Sequence, residues 1–144
     1  MSLLPLFIDI KDKPCLIVGG GKIAARKLKM LCKAEADITI IAPLICEEIQ
    51  ALVETHSLRL NQREFTDADI NKQNLIIAAT SDSPLNKHIS DLAKLKNILV
   101  NVADDFKQGD VVLPGRRRPR RLDIRDRCAI CTPGEWGRYR CVWC

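Results

Sequence analysis

The sequence predicts an α/β fold: a Rossmann-like, doubly wound parallel sheet, followed by an irregular or disordered C-terminal tail. Three observations lead there. Short β-branched runs, apolar on both faces, alternate with segments of helical period. Three consecutive glycines, Gly19, Gly20 and Gly21, separate the first such run from the first helical segment. The composition then changes abruptly near Gly115.

In chain order, "CLIV" (15–18), "ITIIA" (38–42), "LIIAA" (75–79), "ILVNV" (98–102) and "VVL" (111–113) read as strands covered on both sides. "SLRL" (57–60) alternates instead and reads as an edge strand. Between them, Ala24, Leu28 and Leu31 recur at i, i+4, i+7, as do Ile45, Ile49 and Leu52, and Leu85, Ile89 and Leu92. Each set makes one apolar stripe on a helix. Strands alternating with helices over this length imply βαβ units and an open sheet.

Such sheets bind ligands beyond the carboxyl ends of their strands. Gly19, Gly21 and Ala24 fit the G-x-G-x-x-[GA] spacing at that place. The first position permits the tight turn, the second lets main chain approach a diphosphate, and the third permits close helix–strand packing. The same glycines would also serve a flexible turn without a ligand. The carboxylate that usually holds the adenosine ribose about twenty residues on is missing. The second strand runs "IIAPLIC", with Glu47 as the next acid and no arginine for a 2′-phosphate. The adenosine end is therefore expected to rest on backbone and apolar contact around Pro43 and Leu44, with NAD favoured over NADP.

"LPLFIDIKDKPCLIVGGGKIAARK", "TIIAP", "IIAATSDSPLNKHIS" and "NVADD" resemble, in order and spacing, the N-terminal module of siroheme synthase. That is the precorrin-2 dehydrogenase/sirohydrochlorin ferrochelatase family, and the resemblance spans residues 3 to about 114. It implies NAD-dependent oxidation of precorrin-2 to sirohydrochlorin, with ferrous iron as a further substrate where a member also makes siroheme. It implies cofactor contacts at Gly21, Lys22, Ile23, Pro43, Leu44 and Thr80, to which the glycine turn itself adds Gly19 and Gly20. It also implies a tetrapyrrole substrate, a homodimer and a key carboxylate at Asp104.

Asp104 also makes chemical sense by position, since it closes "NVAD" just past a strand end, on the rim that carries the glycines. Dehydrogenation needs a hydride acceptor and a base for the proton, and metal insertion needs the pyrrole nitrogens to lose protons. The bland reading is a solvated acid capping a turn, and the neighbouring Asp105 shows that acids are common at this place. His56 and His88 lack a partner motif and read as surface residues. Cys15, Cys32 and Cys46 read as small reduced core thiols.

Residues 1–115 carry 14 Lys+Arg against 15 Asp+Glu, whereas 116–144 carry 9 Arg against 3 acids. The division expected is an NAD-binding domain over 1–114 and a basic, Cys-rich tail over 115–144. Cys128, Cys131, Cys141 and Cys144 form C-x₂-C-x₉-C-x₂-C, a zinc-ribbon spacing that, beside "GRRRPRR", would suit nucleic acid. Against this, the family continues with Ala-[Val/Ile]-Val-Asp-Arg, and codons for residues 115–120 chosen as GGC CGT CGT CGA CCG CGG yield Ala-Val-Val-Asp-Arg one base later. The tail therefore reads as an out-of-frame ending without a metal site, a zinc ribbon and a disordered extension being the alternatives. Loss of the family's continuation predicts impaired turnover and weakens the dimer. A nucleotide-binding regulatory domain without catalysis is the remaining alternative.

No apolar run reaches the length of a membrane span, and MSLLPLFIDI has no basic lead, so no membrane partner and a cytoplasmic location are expected.

Overall fold

The computed structural model describes residues 6–105 and 107–113. They form five strands, β1 (Pro14–Val18), β2 (Asp37–Ile41), β3 (Arg59–Asn61), β4 (Leu75–Ala78) and β5 (Leu99–Val102). Three helices connect them: α1 (Lys22–Lys33), α2 (Glu47–His56) and α3 (Ser83–Leu95). A 3₁₀ turn covers Asp67–Ile70. The strands lie in the order β3-β2-β1-β4-β5, every neighbouring pair parallel. The chain steps outward from β1 to β3, then returns to lay β4 against the other side of β1. Direction reverses between β1 and β4, which makes their carboxyl ends the crevice of this sheet.

β1 and β4 are apolar along their length because both faces are covered. On one face, Cys15 and Ile17 of β1 join Ala24, Leu28 and Leu31 of α1 and Ile49 of α2. On the other, Leu16 and Val18 meet Ile89 and Ala93 of α3. β4 divides likewise, Leu75 and Ile77 to the first cluster, Ile76 and Ala78 to the second. Full burial of each such Leu or Ile contributes about 1.5–3 kcal/mol. β3 is the short edge, as its alternation implied: Leu60 packs on the first cluster while Arg59 reaches out to pair with Asp37.

Two expectations need correction. Residues 111–113 are not a strand. The amides of Asp110 and Val111 both donate to the Val100 carbonyl, at 2.8 and 3.0 Å, and Asn101 Nδ2 takes the Val111 carbonyl at 2.7 Å. A side chain thus occupies the acceptor that a ladder would need. Ile45 also lies outside its helix, because α2 begins at Glu47; its side chain still packs on the first cluster. The 3₁₀ turn was not foreseen. Its Thr66–Asp69 capping box fixes the return from β3 and seats fully buried Ile70 in the second cluster.

The three helices begin differently. In α3, Asp82 accepts from the Leu85 amide at 3.1 Å, and a proline stands in the first turn. In α2, Glu47 and Glu48 answer the positive end of the helix dipole. α1 starts on Gly21 with no side-chain cap and no acid in its first turn. Among the described residues no helix is long and apolar enough to cross a membrane.

A β-carbon on Gly20 would stand 1.7 Å from the Leu44 carbonyl oxygen, so Gly20→Ala is expected to lower stability by about 2 kcal/mol or more, read by denaturant melts. Asp69 offers a pH test. The bidentate Arg63 guanidinium, at 2.6 and 2.8 Å, is the main cause that holds its carboxyl at about 2, with the Thr66 amide and hydroxyl assisting. A lowered folded value contributes stability above the unfolded value of ~3.9 and loses it as pH falls through the folded one. Asp69→Asn should therefore melt below wild type at neutral pH, and the gap should close between about pH 4 and about pH 2.

Candidate functional site

Three loops meet beyond the carboxyl ends of the strands. The first is the glycine turn. Gly19 has φ +128°, a region that L side chains rarely adopt, and a β-carbon there would stand 2.3 Å from the Ala79 carbonyl oxygen. Its amide donates to the Ile41 carbonyl at 3.0 Å. The Gly20 carbonyl accepts from the Cys46 amide at 2.8 Å, which ties the loop after β2 to the turn. Backbone therefore crowds Gly19 and Gly20. Gly21 is the opposite case: nothing lies within 4 Å of where its β-carbon would be.

That open side adjoins the start of α1. The first intrahelical bond there runs from Ala25 to the Gly21 carbonyl at 3.0 Å, so the amides of Lys22, Ile23 and Ala24 precede the helix ladder. Amides without a cap, at the positive end of a helix, suit a diphosphate. Lys22, Ile23, Pro43 and Leu44 are all exposed around this place. Leu44 keeps 83% of its surface, an apolar platform of the sort expected for the adenosine end.

The second loop follows β4. Thr80 is half-buried and bound to the side chain of Asn86: its amide donates to Oδ1 at 3.2 Å, and its hydroxyl lies 2.7 Å from the same atom. The third follows β5 and carries the two acids. Asp105 is the turn capper: Oδ1 accepts from the Lys107 amide and Oδ2 from Gln108 Nε2, both at 3.0 Å. Asp104 turns toward α3, where Ser83 Oγ donates to Oδ2 at 2.9 Å and Asn86 Nδ2 to Oδ1 at 3.2 Å. The exposed carboxylate of Asp104 is thus oriented by side chains of α3, while its neighbour is spent within its own turn.

Ser83 and Asn86 escaped the sequence reading. The available signal was a polar residue on an inward helix face, since Asn86 shares its side of α3 with Ile89, Ser90 and Ala93, all buried. His88, read as unpartnered, lies 2.9 Å from Asp67, with both side chains exposed. His56 is exposed. Cys15 is buried, and that burial pushes its thiol up to about 11, as suits a core thiol. A depression of about 580 Å³ lies at the other end of the strands, beside Asp37, His56 and Arg59. It shares no residue with the glycine turn. Cys128, Cys131, Cys141 and Cys144 lie outside the described residues.

The family model described as "Putative NAD(P)-binding" matches residues 6–115. The chain belongs to this NAD(P)-binding family. Siroheme synthase of Vesicomyosocius okutanii is 49% identical over 114 residues, 79% of this chain and 24% of that protein. Siroheme synthase of Pseudoalteromonas atlantica is 42% identical over 79% of this chain and 25% of its own length. The chain thus spans about a quarter of the siroheme synthases it matches. Among solved structures, "SirC, precorrin-2 dehydrogenase" superposes with a TM-score of 0.68 at 30% identity, covering 83% of this chain and 59% of that one. The NAD complex of GenD2 from gentamicin A biosynthesis shares the fold alone, with a TM-score of 0.51 at 15% identity. The resemblance read from the motifs agrees with these relatives, and NAD agrees with the family.

Gly21→Asp places a carboxylate on the open side of the turn, where a diphosphate would sit, without meeting neighbouring atoms at its β-carbon. Calorimetric titration with NADH should show affinity falling at least tenfold, while the melting temperature stays within a few degrees of wild type.

Proposed function

We propose that this chain carries the NAD-dependent dehydrogenase module of siroheme biosynthesis, oxidising precorrin-2 to sirohydrochlorin with Asp104 as proton acceptor. One observation carries the proposal: the carboxylate on the dinucleotide rim is held by Ser83 and Asn86 and is not spent on capping its own turn. The named relatives are siroheme synthases and a precorrin-2 dehydrogenase, which supports the choice of substrate. In this reading residues 1–114 are the working domain and 115–144 a tail outside it.

The reaction takes two electrons and two hydrogen nuclei from the macrocycle. NAD⁺, when bound, supplies the acceptor for one of them as hydride. The chain's own residues do the rest. Free amides at Lys22, Ile23 and Ala24 hold the diphosphate, and Pro43 and Leu44 support the adenosine. Asp104 takes the remaining hydrogen as a proton and releases it to solvent, which balances precorrin-2 and NAD⁺ against sirohydrochlorin, NADH and H⁺.

Ferrous iron insertion, which the resemblance implies, would draw on the same carboxylate as pyrrole N–H protons leave. A homodimer and a cytoplasmic location belong to the same reading.

The test is an absorbance assay of precorrin-2 with NAD⁺, following NADH. Wild type should form NADH, and Asp104→Ala should lower kcat by about 10²–10⁴-fold with NADH affinity unchanged. A wild type that binds NADH but forms none from precorrin-2 would rule out the dehydrogenase reading for this chain and leave the nucleotide-binding regulatory domain as the alternative. Equal rates in both proteins would remove Asp104 from the chemistry.

A further inference from the structure

Asn86 is 1% exposed, and every hydrogen-bonding position of its amide is used. Oδ1 accepts from the Thr80 amide and hydroxyl, at 3.2 and 2.7 Å. Nδ2 donates to the Thr80 carbonyl at 3.1 Å and to Asp104 Oδ1 at 3.2 Å. Two donated and two accepted bonds exhaust what a side-chain amide can make. A buried amide is costly unless so satisfied, and one that is fully satisfied allows a single orientation. This one joins two loops. Thr80 lies on the loop after β4, and Asp104 on the loop after β5.

We infer that Asn86 and Ser83 are a pair of positioning residues that fix the Asp104 carboxylate relative to the cofactor loop. Ser83 holds one carboxylate oxygen and Asn86 the other. Each oxygen keeps a second lone pair free for a substrate proton. Because the Asn86 amide also grips Thr80 through three bonds, a dinucleotide that settles the Thr80 loop settles the carboxylate with it. The inference rests on the reading of Asp104 as proton acceptor; the bridge itself can be tested apart from activity.

Ser83→Ala removes a donor from an exposed position, so folding should be untouched. It should lower kcat about ten- to a hundredfold, the worth of one hydrogen bond to a charged group, with NADH affinity unchanged. In an Asp104→Ala background the same change should cost nothing further, because its effect passes through the carboxylate. Asn86→Asp keeps the shape but removes both amide donors, and should weaken NADH binding and kcat together. The readout independent of turnover is the pair of Asn86 side-chain amide resonances in ¹⁵N-labelled protein. They should move on Asp104→Ala and on addition of NADH to wild type.

If Ser83→Ala turns over like wild type while Asp104→Ala does not, the pair does not position the base. If neither Asp104→Ala nor NADH moves the amide resonances, the bridge is absent, whatever the rates. If Asp104→Ala is fully active yet the resonances move, the bridge stands and the base assignment falls instead.

Discussion

The site depends on backbone pressed against backbone at the glycine turn. Gly19 sits against the Ala79 carbonyl and Gly20 against the Leu44 carbonyl, at separations no β-carbon could enter. Those contacts draw the loops after β1, β2 and β4 together over the point where strand order reverses. With the turn clamped on two sides, its one open side is Gly21, at the uncapped start of α1. A flexible connection would not need this crowding. The opening question of any triple glycine, flexibility or close approach, is answered here by close approach.

The contrast between helices gives the turn its chemical meaning. α3 satisfies its own first turn with the Asp82 carboxylate, and α2 brings two glutamates to the same end. α1 has neither. Among the described residues nothing in its first turn caps or counters this end, and the chain belongs to an NAD(P)-binding family. The helix that leaves its end uncapped adjoins the open side of the glycine turn, and the helix that closes its own carries the side chains that orient Asp104.

Much of this was legible in the residues, and the reasons are physical. β1, β2 and β4 read correctly because a strand covered on both faces leaves no polar alternation, and few other structures produce such runs. Ala24, Leu28 and Leu31 read correctly because only one face of α1 is buried. Residues 111–113 misled because local composition carries no record of a ladder acceptor already taken by Asn101. Asp104 stood out in sequence only by its place closing "NVAD"; the tertiary partners of each acid are what separate the turn capper from the oriented one. Asn86 was hidden for the same reason: its four bonds go to residues 6 and 18 positions away, beyond the reach of helical periodicity.

The contact of residues 110 and 111 with β5 bears on how the domain behaves in a crowded solution. β5 is one margin of the sheet, and its Val100 carbonyl already receives two amides from its own chain. At the opposite margin, β3 spans three residues and carries the charged Arg59. A stray strand from another molecule finds one rim partly occupied and the other short and charged, so runaway sheet extension is discouraged at both.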